Sequence, residues 1–301
     1  MKIADLNAPR MAAAGLRGLI MNCEERVAKN DNVFLTGFIA DKEDSMSFKI
    51  WDNVPILKNL IVPGKAVEIL QGSTEEYKNI ISIKIASVKV LEDSEVDNYI
   101  PTSYASAEYI DKALFKDLVE EIRAYNLDIQ PILDALKKLG LMNQFLTAPA
   151  GISMHHAYRR GLVTHCLEVV NTARSVASSY ADPDVKIDMG ILLTAALFHD
   201  VGKLLEYTTN ELGLFTGFSV NGHLQGHSFI GAAVLNSILH KKVDKDRLTV
   251  LTHCLISHHG KPEWGAAVPP KTVEAMILHH CDMLSSGLVR YTEQGNTILE
   301  S

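Results

Sequence analysis

The first ninety residues carry the hydrophobic pattern of β-strands. Ile81, Ile83 and Ile85 alternate with polar or small residues, as expected for a strand with one buried face. Because β-branched and aromatic residues favour extended backbone, their clustering predicts strands over 33–40, 45–51, 65–71 and 77–91. Residues 11–28 favour a helix by their alanines but can also supply a fifth strand at 19–27. In that second arrangement a short helical turn at 54–62 lies between the third and fourth of five strands.

Beyond residue 107 the apolar positions recur at helical spacing. The preceding segment, 93–107, is acidic and then contains serine, tyrosine and proline without a period, which predicts a linker. Residues 206–226 mix glycine with polar residues and predict a long loop or a hairpin. We therefore predict a multidomain chain, with an all-β domain at 1–92 and an all-α domain at 108–301. The helical stripes cover 109–122, 132–139, 162–180, 188–205, 228–240, 246–258 and 271–290.

Composition narrows the class of protein. Hydrophobic residues make up 47% of the 301 residues and charged residues 22%, which are globular values and exclude a mainly disordered chain. The longest apolar run, 191–198, is far shorter than the roughly 20 residues that a bilayer requires, so no membrane partner is expected. The first residues lack the apolar stretch of a secretory signal, so the expected location is the cytoplasm. The four cysteines stand singly and predict neither a disulfide framework nor a thiolate zinc site.

Histidine is the one unusual component of the composition, since all twelve histidines follow residue 154. His165 lies three residues after Leu162 on the apolar stripe of its helix, so its ring is expected to face the core. His199 and Asp200 end the most hydrophobic helix, where burial of an unpaired carboxylate costs on the order of several kcal/mol unless a cation binds it. Three further residues on separate elements are also predicted to face the core: His227, His258 and Asp282.

These inward residues together predict a transition-metal centre. A lone buried histidine is more often a hydrogen-bonded core residue than a ligand. Several imidazoles and two carboxylates buried together, however, would leave too many polar groups without partners. Neutral imidazoles and carboxylates bind Mn, Fe, Co, Ni or Zn, whereas so many nitrogen ligands disfavour Mg and Ca.

The motifs around these residues resemble a known superfamily. His165, His199-Asp200 and Asp282 are similar to the H…HD…D ligand order of the HD-domain metal-dependent phosphohydrolases, which are all-helical. His227 and His258 match the further histidines of the dinuclear members of that superfamily. The segments 161–165, 198–203, 226–227, 257–260 and 269–275 look still more like YhaM-type 3′-to-5′ exoribonucleases, which also carry an N-terminal OB-fold.

The resemblance implies two divalent transition-metal ions as cofactors, with Mn favoured over Fe, Co, Ni or Zn. Asp200 is expected to bridge the ions, and a water between them is the expected nucleophile. The sequence departs from the family pattern at Arg159-Arg160, where smaller residues are expected, and after Asp282, where a second acid is missing. These departures bear on substrate choice, because they leave unchanged the six implied ligands: His165, His199, Asp200, His227, His258 and Asp282.

Other residues are candidates for catalysis or substrate binding. Lys203, one turn after His199, is expected to neutralise a substrate phosphate, with an exposed helical lysine as the alternative. His259 is a candidate proton donor or outer-sphere group, because adjacent helical residues point about 100° apart and do not easily share one metal. His156 and Arg159 are candidate phosphate contacts at the mouth of the site, and a surface or capping role is the alternative for His156.

Local motifs of the first domain resemble an OB-fold, a small Greek-key barrel that often binds oligonucleotides. These motifs are 37–39, 49–52, 64–65 and 77–80. We assign Phe38 and Trp51 to substrate binding, because aromatic faces stack on bases. Three more aromatic residues are candidates for the same role: Phe34, Phe48 and Tyr77. For each of the five, filling of the barrel is the alternative.

Together these features predict an enzyme with two parts, an OB-fold barrel followed by an HD domain. The expected activity is metal-dependent 3′-to-5′ exonuclease cleavage of single-stranded nucleic acid, with RNA favoured over DNA as the partner. The net charge of −7 argues only against broad, sequence-blind attraction to nucleic acid. Two alternatives stay open, a phosphohydrolase for a small nucleotide and a non-enzymatic nucleic-acid-binding module. The oligomeric state also stays open, and a homo-oligomer is compatible with the sequence.

Overall fold

The computed structural model of the protein describes residues 1–29, 31–77, 80–100, 105–151, 159–180, 182, 184–209 and 215–293. The chain separates into two compact units, one formed by Met1–Thr102 with Thr209–Thr216 and the other by Ser103–Thr208 with Gly217–Ser301. The first unit contains a closed β-barrel and the second is mainly helical. The predicted fold class, an all-β barrel followed by an all-α domain, is therefore confirmed.

Five strands close into the barrel in the order β1-β2-β3-β5-β4. Strands β3 and β5 pair in parallel, and the other neighbours pair antiparallel. Phe48, Ile39 and Ile83 point inward and have no exposed surface, so Phe48 fills the barrel. The elements are a 3-10 helix (Ile3–Asp5), β1 (Arg17–Val27), β2 (Val33–Ala40), β3 (Ser45–Ile50), the short helix α1 (Val54–Leu57), β4 (Ala66–Tyr77) and β5 (Ile80–Val90).

Strand β4 continues further than the sequence predicts. The predicted strand ends at Gln71, but β4 extends to Tyr77, which pairs with Ile80 of β5. The assignment of Tyr77 to the last strand is therefore wrong. Gly72 resembles a strand end in the sequence, yet it lies at a register shift where a Cβ would come within 2.9 Å of the Lys84 carbonyl oxygen. Close approach of two strands, and not a turn, requires glycine there.

The first part of the segment predicted as a linker packs against the barrel. Asp93–Asn98 forms a 3-10 helix. Val96 and Ile100 are buried in one apolar cluster with Leu19 and Ala66 of the barrel strands. Two isolated apolar contacts create no period in the sequence, which explains why this packing escapes a periodicity analysis.

The helical unit is built around α7 (Met189–Phe198), in which every residue from Gly190 to Phe198 is buried. A helix that is apolar on every side belongs at the centre of a domain. Helix α7 packs against α6 (Gly161–Ser179), α10 (Lys245–Ser257) and α11 (Val273–Glu293). The other helical segments of the described residues are α2 (Ala107–Ile110), a π-helix (Asp111–Leu118), α3 (Val119–Ala124), α4 (Gln130–Lys138), α5 (Met142–Thr147), α8 (Lys203–Glu206), α9 (Val220–Leu239) and a 3-10 helix (Pro262–Trp264).

A two-stranded sheet follows α8. Of the two forms predicted for 206–226, the hairpin is present, since β6 (Tyr207–Thr209) pairs with β7 (Phe215–Phe218). Helix α9 then begins earlier than the predicted residue 228, and it is kinked at Gly226, whose φ is 70°. Among the described residues, no helix combines the length and the apolar character needed to cross a bilayer.

Asp188 joins three helices at one point. Its side chain accepts a hydrogen bond from the backbone N–H of Ile191 at 3.0 Å and so caps α7. Both of its oxygens accept hydrogen bonds from Arg247 of α10, at 2.7 and 2.9 Å. Arg247 also donates to the carbonyl oxygens of Tyr125 and Asn126, just after α3.

We expect Asp188→Ala to lower the free energy of unfolding by about 1–3 kcal/mol, because it removes a helix cap and leaves Arg247 without its carboxylate. Burial opposes the charged form, yet the Arg247 hydrogen bond holds the pKa of Asp188 below its ordinary value. The stabilisation is therefore complete at neutral pH and lost as the pH falls through the lowered pKa. Chemical denaturation at about pH 7 and pH 3 measures it, with exposed Asp117→Ala as the control. Equal losses in both variants would contradict this role.

Candidate metal centre

The turn between α7 and α8 carries His199 and Asp200 into the centre of the helical unit. His199 has no exposed surface and Asp200 is buried. Gly202 in this turn lies directly against α9, because a Cβ there would be 2.0 Å from the carbonyl oxygen of His227. Only glycine permits this approach, which brings Asp200 beside the imidazole of His227.

A first cluster consists of His165, His199 and Asp282. The Nε2 atom of His165 lies 3.2 Å from His199 Nε2 and 3.1 Å from Asp282 Oδ1. His199 Nε2 is 3.8 Å from the same carboxylate oxygen. Helix α6 supplies His165 and helix α11 supplies Asp282. The structure thus brings three of the predicted ligands within reach of one ion.

A second cluster consists of His227, His258 and His259, whose ligand atoms lie within 4.8 Å of one another. The sequence predicts that His259 is a proton donor or an outer-sphere group, because adjacent helical side chains diverge. The structure differs, since α10 ends at Ser257 and the rings of His258 and His259 are only 4.1 Å apart. Gly260, with a φ of 83°, turns the chain directly after them. His259 therefore joins the ligand atoms of this cluster.

Asp200 lies between the two clusters. Its Oδ2 atom is 3.7 Å from His165 Nε2 and 3.5 Å from His199 Nε2. Its Oδ1 atom is 3.3 Å from His227 Nε2 and 3.9 Å from His258 Nε2. Each carboxylate oxygen faces a different cluster, which is the arrangement required of a carboxylate that bridges two ions.

The hydrogen bonds of the imidazoles leave their other nitrogens available as ligands. Nδ1 of His199 donates to the Ala196 carbonyl oxygen at 2.9 Å, and Nδ1 of His258 donates to that of Leu255 at 2.7 Å. With the proton of a neutral ring on Nδ1, Nε2 carries a lone pair toward Asp200. This assignment of tautomers follows from the hydrogen-bond partners.

The centre contains more acceptors than its own donors can satisfy. Among the described residues, the Nε2 atoms of His227 and His258 and the Nδ1 atom of His259 are buried without a hydrogen-bond partner. Buried polar atoms without a partner are rare in native proteins. The Nε2 atoms of His165 and His199 also lie only 3.2 Å apart, with Asp282 Oδ1 3.1 Å from the first of them. Divalent transition-metal ions meet all of these requirements, so the residues present fit such ions.

Electrostatics favour the ligand form of these groups. Burial works to raise the pKa of Asp200, but the positive charge of Lys203 holds that pKa well below its ordinary value. The pKa of Asp282 is likewise lowered against burial by its contact with His165. Burial is the main reason that the pKa of His258 lies well below its ordinary value. Charged carboxylates and neutral imidazoles are the forms that bind metal ions.

Lys203 begins α8 and is partly buried beside Asp200, with 12% of its side chain exposed. Its Nζ donates to Asp200 Oδ2 at 2.7 Å and to the carbonyl oxygen of Ala150 at 2.8 Å. Burial opposes its charge, but Asp200 raises the pKa of Lys203, so the ammonium stays charged. The alternative of an exposed helical lysine does not hold. Among the described contacts, two of the three ammonium N–H groups are used.

The remaining predicted site residues are distributed over both units. Arg159 is exposed just before α6, and His156 lies outside the described residues. In the barrel, Trp51 stacks on Phe34 with ring centroids 4.4 Å apart. Phe38 is half-buried against the apolar cluster that includes Leu19. The stacked aromatic pair of the barrel is therefore Phe34 and Trp51, whereas Phe38 packs against apolar side chains of the same unit.

Two hydrogen-bond partners of the predicted ligands are not predicted from the sequence. Glu206 accepts a hydrogen bond from Nδ1 of His227 at 2.9 Å, and Ser285 accepts one from Nδ1 of His165 at 3.0 Å. Ser285 lies three residues after Asp282, and this helical spacing is the signal that could have found it. Glu206 gives no such signal, because its contact with His227 depends on the path of the hairpin between them.

The fold and the centre define a helical metal-binding domain and a five-stranded barrel in one chain. Residues 162–287 match the family model of the HD domain, and this match confirms the HD domain predicted from the motifs. It implies a metal-dependent phosphohydrolase. The matched range contains all of the predicted metal ligands.

Two solved structures of OB domains are similar to part of this chain. The solution NMR structure of the OB domain of MM0293 from Methanosarcina mazei has 20% identity and a TM-score of 0.27, covering 32% of this chain and 87% of that chain. The solution NMR structure of the OB domain of Ta0387 from Thermoplasma acidophilum has 15% identity and a TM-score of 0.23, covering 30% of this chain and 82% of that chain.

Substitution of Asp200 should empty both clusters, because its two oxygens face one cluster each. We expect purified Asp200→Ala to hold almost no transition metal, against about two ions per chain in the wild type. His227→Ala removes a ligand from the second cluster only, so about one ion per chain should remain. Elemental analysis by mass spectrometry after dialysis measures these contents.

His240→Ala is the matched control for these variants. His240 is exposed, and its Nδ1 donates to the Ser237 carbonyl oxygen on the surface of α9. This control should retain the wild-type metal content. Full metal content in Asp200→Ala would contradict the bridging role, and loss of both ions in His227→Ala would indicate a single site.

Proposed function

We propose that this protein is a metal-dependent phosphodiester hydrolase that removes nucleotides from the 3′ end of single-stranded RNA. The observation that carries the proposal is the position of the Asp200 carboxylate, with one oxygen toward each cluster of three ligands. When bound, two divalent ions supply a water of lowered pKa and offset the charge of the phosphoryl oxygens. The predicted HD domain and its implied chemistry support the same conclusion.

The residues of the centre hold and neutralise the scissile phosphate. Lys203 keeps its ammonium in place by donating to Asp200 and to the Ala150 carbonyl oxygen, and its contacts with the described residues leave one N–H for a phosphoryl oxygen of the substrate. Such a preorganised cation stabilises charge that develops in the transition state. No serine or cysteine nucleophile is needed, since water would supply the hydroxyl that bonds to phosphorus, while the 3′ oxygen of the shortened strand leaves and takes up the proton.

The donor set indicates the class of metal. The second cluster offers three imidazoles, and the first offers two imidazoles and the Asp282 carboxylate, with Asp200 between them. Nitrogen-rich sites favour Mn, Fe, Co, Ni or Zn over Mg and Ca. We propose Mn, because the first cluster and Asp200 together supply hard carboxylate oxygens beside the nitrogens.

The barrel provides groups suited to a single strand of nucleic acid. Phe34 and Trp51 form a half-buried stacked pair. Lys49 lies two residues before Trp51, with its Nζ 5.6 Å from the ring centroid of exposed Tyr77 and 3.1 Å from Glu75 Oε1. Aromatic faces beside a lysine bind single strands through stacking and charge, largely without sequence preference. This combination supports binding of RNA by the barrel.

The 3′-to-5′ polarity rests on the resemblance of the motifs around the metal ligands to YhaM-type exoribonucleases. Product mapping tests the polarity and the substrate class in one experiment. Single-stranded RNA labelled at the 5′ end should shorten stepwise, with release of nucleoside monophosphates. Cleavage confined to free nucleotides would favour the small-nucleotide alternative, and binding without cleavage in the metal-loaded protein would favour the non-enzymatic one.

Removal of the aromatic pair should weaken the use of long strands. Stacking contributes about 1–3 kcal/mol per base, so Trp51→Ala should lower kcat/KM on a long single-stranded RNA by about 5- to 150-fold. Hydrolysis of a dinucleotide, which offers only two bases for stacking, should change much less. Tyr180→Ala is the control, because Tyr180 is an exposed aromatic residue of the helical unit. An unchanged kcat/KM on long RNA would overturn the assigned role of Trp51.

Removal of the Lys203 ammonium should slow hydrolysis without emptying the centre. Lys203→Ala is expected to keep its metal and to lose about 10²-fold in kcat, as is common when one electrostatic contact to the transition state is lost. Lys203→Arg should recover part of this rate, because a planar guanidinium does not replace a compact ammonium. Steady-state kinetics at saturating RNA, combined with metal analysis, measure both effects. A wild-type kcat for Lys203→Ala would exclude Lys203 from catalysis.

A further inference from the structure

The four histidines closest to Asp200 differ in what holds their Nδ1 atoms. His199 and His258 donate to backbone carbonyl oxygens of their own helical turns. His227 donates to the carboxylate of Glu206, and His165 donates to the hydroxyl of Ser285. Each cluster therefore contains one histidine held by the backbone and one held by a side chain. A side-chain substitution can remove only the hydrogen bonds of the second kind, those to Glu206 and Ser285.

Glu206 holds His227 at two atoms. Glu206 is the last residue of α8 and is buried. Its Oε1 accepts a hydrogen bond from the backbone N–H of His227 at 3.1 Å, and its Oε2 accepts one from Nδ1 at 2.9 Å. The kink at Gly226 makes His227 the start of a new helical run, so its backbone N–H needs an acceptor outside the helix. One carboxylate fixes both the backbone and the ring of this residue.

His165 reaches a carboxylate through a serine. The Ser285 hydroxyl donates to Glu168 Oε2 at 2.8 Å, so its oxygen is left to accept the Nδ1 proton of His165 at 3.0 Å. Ser285 is buried on α11, and Glu168 lies three residues after His165 on α6. Glu168 sets the direction of the two hydrogen bonds from His165 through Ser285, because a carboxylate accepts a hydrogen bond and does not donate one.

We propose that Glu206 and the Glu168–Ser285 pair are positioning residues, one for each cluster, which keep the proton of His227 and of His165 on Nδ1. The Nε2 lone pairs then face the cluster in both rings. This inference rests on the metal chemistry of the proposed function. As a consequence, the affinity for each ion depends on a different carboxylate. Glu206 acts on the second cluster through His227, and Glu168 acts on the first cluster through Ser285 and His165.

The amide variant of Glu206 provides a sharp test of this role. Glutamine offers one acceptor and one donor, whereas His227 presents two donors to Glu206. The backbone N–H cannot reverse its role, so the amide oxygen must stay with it and the amide NH₂ must face Nδ1. Nδ1 then becomes an acceptor, and the proton moves to Nε2, where it blocks the metal. The size and shape of the side chain are preserved.

The experiment is a metal titration of the full-length apoprotein with Mn²⁺ or Co²⁺, followed by equilibrium dialysis and elemental analysis. We expect Glu206→Gln to bind one ion with wild-type affinity and the second about 10- to 100-fold more weakly. Ser285→Ala should weaken the other ion by a similar factor. The double variant Glu206→Gln/His227→Ala should have the same metal affinities as His227→Ala alone, because both changes act on the same ligand.

Ser219→Ala separates positioning from simple structural support. Ser219 caps the first part of α9 by accepting from Gly222 N, and its hydroxyl donates to the Leu205 carbonyl oxygen, so it lies beside Glu206 without touching His227. This control should lose some thermal stability and keep both affinities. Wild-type affinity for both ions in Glu206→Gln would overturn the proposal, as would equal weakening of both ions.

The two proposals fail in different ways. A wild-type protein that binds no transition metal would contradict the proposed function itself. A wild-type protein that binds two ions, with Glu206→Gln and Ser285→Ala unchanged from it, would contradict only the positioning role. If Glu206→Gln does not fold as judged by circular dichroism, Ser285→Ala still tests the positioning role, in the first cluster.

Discussion

A carboxylate with almost no exposed surface, such as that of Asp200, is stable only where cations or donors surround it. The ammonium of Lys203 provides one such group at 2.7 Å, and imidazoles approach both oxygens. The helical unit satisfies this demand by ending its most apolar helix at Phe198 and turning directly afterwards. Burial and charge are therefore arranged together, because the helix that buries Asp200 also delivers His199 and the turn that carries Lys203.

Two glycines make the second cluster sterically possible. A Cβ at Gly202 would be 2.0 Å from the His227 carbonyl oxygen, and one at Gly222 would be 2.4 Å from that of Glu206. Both contacts bring α9 against α8 and the turn before it. A side chain at Gly202 would separate the Asp200 turn from His227, and one at Gly222 would separate the start of α9 from the end of α8. These glycines therefore act on the metal centre without contributing a ligand.

The sequence reveals those parts of the protein that leave a local pattern. His165 and Asp200 can be found because apolar neighbours place them in the core, and strands can be found from β-branched residues. The extension of β4 to Tyr77 cannot be found in this way, because it follows from a register shift at a close strand contact. Likewise, His259 joins the second cluster because α10 ends one residue before His258, and helix ends are poorly marked in sequence.

The ion pair of Lys203 with Asp200 has a consequence for the charge of the whole centre. Asp200, Asp282, Glu206 and Glu168 bring four negative charges and Lys203 brings one positive charge, which gives −3 in formal charge. Two divalent ions would change this to about +1, which a phosphodiester with its single negative charge neutralises. Hydrolysis leaves a terminal phosphate with a charge of about −1.5 to −2. The product therefore carries more negative charge than the metal-loaded centre can balance, so hydrolysis changes a neutral complex into a negatively charged one.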